Sequence, residues 1–300
     1  MARPRLAVTL GDPRGIGAEI VRKALDDARV RAACDAVVIG PTGLEARVDE
    51  AVGDWNTGGT EAAAGRLAAL AIERAVVLAR DRVVGGIVTA PIDKHALLAG
   101  GYDYPGHTEM LAALCGTPTA MMLASERLRV VLATTHIALR DVPRAVTGET
   151  IAAAARLTRT GLRSWFGIAE PRLALCALNP HAGDGGRFGD EDDRVLAPAA
   201  RAEGLAGPFP ADTVFVRAIR GEFDAVIAPY HDVGMTAIKV ASFGHAVNVT
   251  LGLPFPRTSP DHGTAMDIAG TGRADASSMI EAILMCAMLA ERQQRVESRP

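Results

Sequence analysis

Three histidines stand just beyond apolar runs. VVLATTH ends at His136, LALCALNPH at His181 and DAVIAPYH at His231. In open α/β sheets, ligands gather beyond the carboxyl ends of the strands. Three imidazoles there could meet on one divalent transition metal and leave a further position for substrate. A single strand-end histidine is as readily a capping or hydrogen-bonding residue, and none of the three belongs to a short-range metal motif such as HExxH. His181 has the oddest setting, LNPHAGDGG, because Asn-Pro before it and three glycines after it suit neither a helix nor a strand interior.

Other polar stretches could hold anions or nucleotides. In DHGTAMDIAGTG (261–272), His262, Gly263, Thr264 and Asp267 could grip the adenosine part of a dinucleotide, or the stretch could merely cap a helix. YPGHTEML sets His107 and Thr108 before an apolar helical pattern, which makes a phosphate or carboxylate seat, or an N-cap with Thr108 as cap residue. Lys239, Asn248 and Arg257 offer a cation, an amide and a guanidinium within one segment, as an anionic substrate requires, although surface residues of these types are common. TLGDPRGIGAEI reads as a strand, a turn with Asp12 at the helix entrance, and a helix. Gly11, Gly15 and Gly17 do not match GxGxxG and no Walker lysine follows, so the turn is structural or an anion cradle. His95 and His245 lack such settings and read as surface residues.

The elements that must position these residues alternate. RLAVTL, DAVVIG, GGIVTA, RVVLATTH, RLALCALNPH and DAVIAPYH contain strands. Helical patterns begin at GIGAEIVRKAL, cover 61–82, return in GETIAAAARLTRTGL and close the chain over 275–293. The alternation predicts α/β architecture with largely parallel strands. The polar, glycine-rich stretch 41–60 reads as a loop.

A length of 300 residues allows one large domain or two moderate ones. The net charge of −3 and the dispersed basic residues give no footprint for nucleic acid or an anionic membrane. ILMCAMLA (283–290) is too short to span a bilayer, and the basic N-terminus lacks the apolar segment of a signal peptide. Cys34, Cys115, Cys176 and Cys286 lie far apart and read as reduced core residues. These features together predict a cytoplasmic protein.

GDPRGIGAEI, TAPIDK, YPGHTE, ATTHIALRD, LNPHAGDGG, PADTVF, YHDVG, AVNVTLGLPFPRTS and DHGTAMDIAGTG follow one another in this order. Together they resemble the 4-hydroxythreonine-4-phosphate dehydrogenase family over nearly the whole chain. The last motif also resembles the HGSAPDIAG loop of isopropylmalate and isocitrate dehydrogenases, whose fold the family shares. The resemblance implies an α/β subunit of two domains with mostly parallel sheets flanked by helices and an active-site cleft between the domains. The expected borders put 1–106 and 258–300, with the NAD loop, in one domain and 107–257, with the metal ligands and dimer contacts, in the other.

It further implies a homodimer in which His136, His181 and His231 match the ligands of one zinc, magnesium or cobalt ion, the ligand matching His231 being contributed by the partner subunit. His107, Thr108, Lys239, Asn248 and Arg257 match substrate-binding positions. Asp212 and Lys239 are the candidates for proton transfer, and NAD or NADP is the hydride acceptor.

The implied reaction is oxidation of 4-hydroxy-L-threonine 4-phosphate at C3, with decarboxylation to 3-amino-2-oxopropyl phosphate, in vitamin B6 biosynthesis. Related enzymes act on 4-phospho-D-erythronate or threonate, or on a terephthalate cis-dihydrodiol; the PGHTE stretch favours a phosphorylated substrate. A non-catalytic phosphate-binding protein would have lost a metal histidine or the HGTA loop, and both are present. The departures are Ala18 for the family's usual proline, Val233 for its usual glutamine, and a shortened stretch near 41–62.

Overall fold

A computed structural model of the protein describes residues 3–242 and 245–298. Its strands are β1 (Arg5–Thr9), β2 (Asp35–Thr42), β3 (Glu50–Asp54), β4 (Gly86–Thr89), β5 (Ala120–Ala124), β6 (Arg129–Leu132), β7 (Leu173–Cys176), β8 (Ala206–Phe209), β9 (Ala225–Ala228), β10 (Val247–Leu251) and β11 (Arg257–Ser259). The chain divides into two compact units, Met1–Thr119 with Val247–Pro300, and Ala120–Ala246.

In the first unit the strand order is β3-β2-β1-β4-β11-β10. Neighbours are parallel except the β10–β11 pair. All four residues of β4 are buried, as expected of a strand covered on both faces. Ala7, Val37, Ile39 and Ile87 share one core with Ala69, Ile72, Ala75 and Val76 of helix Glu61–Arg80. The helix meets the sheet largely through alanines, which allow close approach. Leu6, Val8 and Val38 alternate to the opposite face. Helix Ser277–Glu297 buries Met279, Ile283, Cys286 and Ala290 at the three- and four-residue spacing of one helical stripe. Thr258 donates from its hydroxyl to the Ala282 carbonyl at 2.7 Å, fixing this helix to β11.

The second unit has the order β5-β6-β9-β7-β8, with an antiparallel β5–β6 hairpin and parallel pairing elsewhere. Leu123, Val130, Leu132, Ala174, Cys176, Val226 and Ala228 form its core with Val214 and Phe215 of helix Ala211–Ile219 and Ile238 of helix His231–Ser242. Both units are thus α/β with mostly parallel strands, as the alternation predicts.

The structure departs from expectation at several points. The stretch 41–60 is not all loop: β2 runs on to Thr42, and β3 pairs with it in parallel. β3 is EAVGD, a short, polar edge strand without apolar alternation, so pattern could not reveal it. Helix His107–Cys115 and β10 belong to the first unit, whereas the expected borders fell at 106/107 and 257/258. Met110 and Leu111 of that helix enter the first unit's core, and β10 pairs with β11. Gly106, not Thr108, is the N-cap of helix His107–Cys115. Cys34, Cys176 and Cys286 are buried, Cys115 is half-buried, and none forms a disulfide. Among the described residues no helix is long and apolar enough to cross a membrane.

Candidate functional site

In the second unit, β6 ends at Leu132, β7 at Cys176 and β9 at Ala228. The three histidines therefore follow their strands by a few residues rather than directly. Two of these connections are tied together. The Ala133 N–H donates to the Ala228 carbonyl at 2.9 Å, and the Thr134 hydroxyl to the Pro229 carbonyl at 2.7 Å. The His136 and His231 rings end 5.4 Å apart between centroids, tilted by 49°. They line a hollow of about 100 Å³ with Thr135, Tyr230 and Asp232.

His231 opens helix His231–Ser242. Gly234 allows that helix to sit down on the sheet, since a Cβ there would stand 2.7 Å from Leu132. His231 Nδ1 is 2.7 Å from an oxygen of Asp232. A carboxylate on one ring nitrogen fixes the tautomer and leaves Nε2 for a metal. The residues fit a metal in part. Two imidazoles on one ion, each bonded at about 2.1 Å, have ring centres separated as these are. Among the described residues, however, no three His, Cys, Asp or Glu side chains converge, so His181 does not join the other two within one chain.

His181 lies in a turn of four consecutive left-handed residues, with φ of 54° at His181, 54° at Ala182, 82° at Gly183 and 46° at Asp184. Three of the four are not glycine, and each such position costs on the order of 1 kcal/mol. The turn is anchored by Asp192, 1 % exposed. Its oxygens accept from the N–H groups of Leu178 at 2.8 Å and Asn179 at 2.9 Å. The His181 ring lies 6.3 Å from that of Phe188. Asp212, in the first turn of helix Ala211–Ile219, and Lys239, on helix His231–Ser242, are both exposed.

The first unit holds the other set. Arg257 is 1 % exposed. It donates from its terminal nitrogens to the hydroxyls of Thr250 at 2.9 Å and Thr89 at 2.5 Å. Among the described residues no carboxylate pairs with it. Burial pushes its pKa down to about 10, so it remains a cation at neutral pH. Burial, and then the Arg257 charge, hold His107 well below the usual imidazole range, so its ring is neutral. Arg257 Nε, His107 Nε2, Asn248 Oδ1 and Thr9 Oγ1 are all buried without a hydrogen-bond partner. A buried charge normally requires a partner, and buried polar atoms normally find one. Of these atoms, Arg257 Nε and the Thr9 hydroxyl can donate to the oxygens of an anion, whereas Asn248 Oδ1 can only accept, from a protonated group. Thr108, half-buried, adds a hydroxyl in the first turn of the helix.

His262, Gly263 and Asp267 are exposed and Thr264 is half-buried, on a loop whose one regular element is the 3-10 turn Met266–Ile268. Beside it lies a cavity of about 590 Å³ lined by Arg14, Glu19, Arg22, Trp55, Ala269 and Gly270 among others. Its size suits a nucleoside. Asp12 is not a helix cap: it is buried and binds the Arg14 backbone and side chain. Sequence reasoning missed Thr9, Thr89, Thr250 and Asp192. The threonines left one signal, a hydroxyl residue in each of the largely apolar stretches LAVT and GIVT and, beside Asn248, in VNVTL.

The chain matches a family model described as pyridoxal phosphate biosynthetic protein PdxA over residues 16–286. It is 43% identical to a 4-hydroxythreonine-4-phosphate dehydrogenase of Geobacter metallireducens over 326 residues, covering 96% of each chain. It is also 43% identical to a D-threonate 4-phosphate dehydrogenase of Cupriavidus necator over 327 residues, covering 96% of this chain and 98% of that one. The crystal structure of a 4-hydroxythreonine-4-phosphate dehydrogenase from Klebsiella pneumoniae superposes with a TM-score of 0.86 at 38% identity, over 96% of this chain and 99% of that one. A β-decarboxylating dehydrogenase from Thermococcus kodakarensis shares the fold at 20% identity and a TM-score of 0.52. The match through both units, over the strand-end histidines and the Arg257 seat alike, places this chain in the PdxA family of pyridoxal phosphate biosynthetic proteins.

Proposed function

We propose that the protein is a metal-dependent NAD(P) dehydrogenase. In this reading it oxidises 4-hydroxy-L-threonine 4-phosphate at C3, and the product loses carbon dioxide to give 3-amino-2-oxopropyl phosphate for pyridoxal phosphate biosynthesis. The observation that carries the reading is the buried Arg257 cation, whose Nε and the nearby Thr9 hydroxyl lack partners and can donate to a phosphate dianion. Arg257, Asn248, His107 and Thr108 bind and orient that phosphate, and the remote contact contributes to positioning the reacting carbon. Burial keeps the His107 ring neutral, so it adds no second cation beside Arg257.

His136, His181 and His231 are the residues to hold the metal. The loop at His262, Gly263, Thr264 and Asp267, with the adjoining cavity, is the place for the adenosine half of the dinucleotide. When bound, the metal supplies Lewis-acid lowering of the alcohol's pKa and the dinucleotide supplies a hydride acceptor. Asp212 and Lys239, both exposed, take up the C3 hydroxyl proton and deliver one to the carbon that carbon dioxide leaves.

We further propose a homodimer that shares the metal. Two observations support it: among the described residues one chain brings together two histidines and no group of three donors, and exposed apolar side chains accompany the histidines. Ile137 and Leu139 follow His136, Phe188 lies by His181, and Val240 lies on the helix of His231.

A second substrate, D-threonate 4-phosphate, is favoured by the Cupriavidus necator relative, whose identity equals that of the Geobacter metallireducens one. The test is reduction of NAD and NADP with 4-hydroxythreonine, threonate and erythronate 4-phosphates as substrates, with a divalent metal added and then chelated. Turnover of 4-hydroxythreonine 4-phosphate that stops on chelation is expected. No turnover of any of these compounds would overturn the dehydrogenase reading, and preference for threonate would move the substrate alone.

A further inference from the structure

The turn GDPRGIGAEI and the helix Gly17–Asp26 that it enters have no catalytic step assigned above, yet they are fastened to the proposed dinucleotide loop at two places. At the near end, the Ile16 N–H donates to the Thr264 carbonyl at 2.9 Å. Gly15 lies so close that a Cβ on it would stand 2.9 Å from the Thr264 Cβ. At the far end, Lys23 Nζ donates to the carbonyls of Gly272 at 2.8 Å and Ala274 at 2.7 Å, and to Glu19 Oε1 at 2.7 Å. The same Glu19 oxygen accepts from the Ala274 N–H at 3.0 Å. Glu19 and Lys23 are four residues apart on helix Gly17–Asp26, so they share a face. The Glu19 side chain is only 9% exposed, and its bond with Lys23 holds its carboxyl below the usual range.

Between these fastenings the loop has little structure of its own. It holds one 3-10 turn, and Ala265, Gly270 and Gly272 have left-handed φ of 42°, 73° and 74°. Such a segment takes its shape from what it is tied to. The cavity proposed for the adenosine half is lined by Glu19 and Ala18 from the helix and by Ala269, Gly270 and Gly272 from the loop. The same bonds therefore set the spacing of two of its walls.

We infer that helix Gly17–Asp26 is a splint for the dinucleotide loop, with Glu19 and Lys23 as positioning residues that hold it in its receptive form. This rests on the reading of the loop as the dinucleotide site. The motif is then neither an anion cradle nor a plain turn.

The experiment compares the wild type with Lys23→Met, Lys23→Arg and Glu19→Gln. It reads AMP affinity by calorimetry, amide hydrogen exchange of the free protein, and the KM and kcat for the dinucleotide. In Lys23→Met, AMP affinity falls about tenfold and the dinucleotide KM rises about as much, with kcat within about twofold. Exchange quickens over 264–274, at the Ala274 amide first, and not in the strands. Lys23→Arg still reaches both carbonyls and stays within about threefold of wild type in AMP affinity. If Lys23→Met does not fold, Glu19→Gln carries the test, with quicker loop exchange and weaker AMP binding expected. Unchanged AMP affinity and unchanged loop exchange in a folded variant would overturn the splint. Asp267→Ala and His262→Ala separate the two ideas. If they weaken AMP binding and Lys23→Met does not, the splint alone fails; if they leave AMP binding intact, the loop reading fails and the splint with it.

Discussion

Arg257 is a buried cation held by two hydroxyls and, among the described residues, by no carboxylate ion pair, so in the free protein it works against folding. Replacing a buried, imperfectly paired charge with an apolar side chain of similar volume is often neutral or stabilising. Arg257→Met is therefore expected to melt at or above the wild-type temperature, with a gain of about 1 kcal/mol, while kcat/KM for the phosphorylated substrate drops about 100-fold. A purely structural arginine would give the reverse, lost stability and retained turnover; thermal melts and steady-state kinetics decide between them. His107 gives a pH signature. Its folded pKa lies below the unfolded value, so on acidification through about 6.5 the unfolded chain gains a proton that the native ring refuses. Its contribution is present above that pH and lost below it, with a slope approaching 1.4 kcal/mol per pH unit. Denaturant titrations from pH 7.5 to 5 should show the slope, and His107→Gln should flatten it. Equal slopes in both proteins would remove His107 as the cause. At this scale the sequence displayed Arg257, Asn248 and His107, whose side chains have few uses other than polar ones. It concealed Thr9, Thr89 and Thr250, because threonine is also an ordinary strand former.

The connections after β6, β7 and β9 hold the histidines, and each is fastened differently. The first and third are bonded to each other through Ala133 and Thr134. The second depends on Asp192, whose two oxygens hold the Leu178 and Asn179 N–H groups ahead of the left-handed turn. Asp192→Ala strands both donors at a strand end. It should cost about 2–4 kcal/mol and lower metal affinity, read by denaturation and by metal titration of the folded variant. Asp192→Asn keeps one acceptor and should fall between. A stable Asp192→Ala protein with wild-type metal affinity would show that the turn needs no anchor. The strands before these turns were legible from apolar runs bounded by polar residues. The turns were legible only as breaks, since Asn-Pro and glycine announce irregular backbone without saying where an imidazole comes to rest. β3 was not legible, because only Val52 of its five residues packs on the core, too few to show alternation.

At the scale of the whole molecule, the α/β class was legible because alternation of strands and helices survives in one dimension. The borders of the two units were less so: β10 was not read as a strand, and nothing in VNVTL names the sheet it joins. Whether the metal ligands are divided between subunits is hidden more deeply, and mixing inactive subunits tests it. The family resemblance assigns the position of His231 to the partner subunit, whereas one chain here brings His136 and His231 within 5.4 Å. Suppose His231 does cross. Then mixing His136→Ala with His231→Ala subunits after reversible dissociation forms heterodimers in which one site has every ligand and the other lacks two. Random pairing makes about half the dimers mixed, each with one competent site in two, so about a quarter of wild-type turnover returns under the C2 symmetry usual for dimers. If His136 and His231 instead act from one chain and His181 crosses, that mixture stays inactive. His136→Ala mixed with His181→Ala then recovers the quarter. Activity in neither mixture, from variants that sedimentation shows to be dimers, would mean that no histidine crosses and that each subunit closes its own metal site. Sedimentation showing only monomers in an active wild-type protein would reject the shared site altogether.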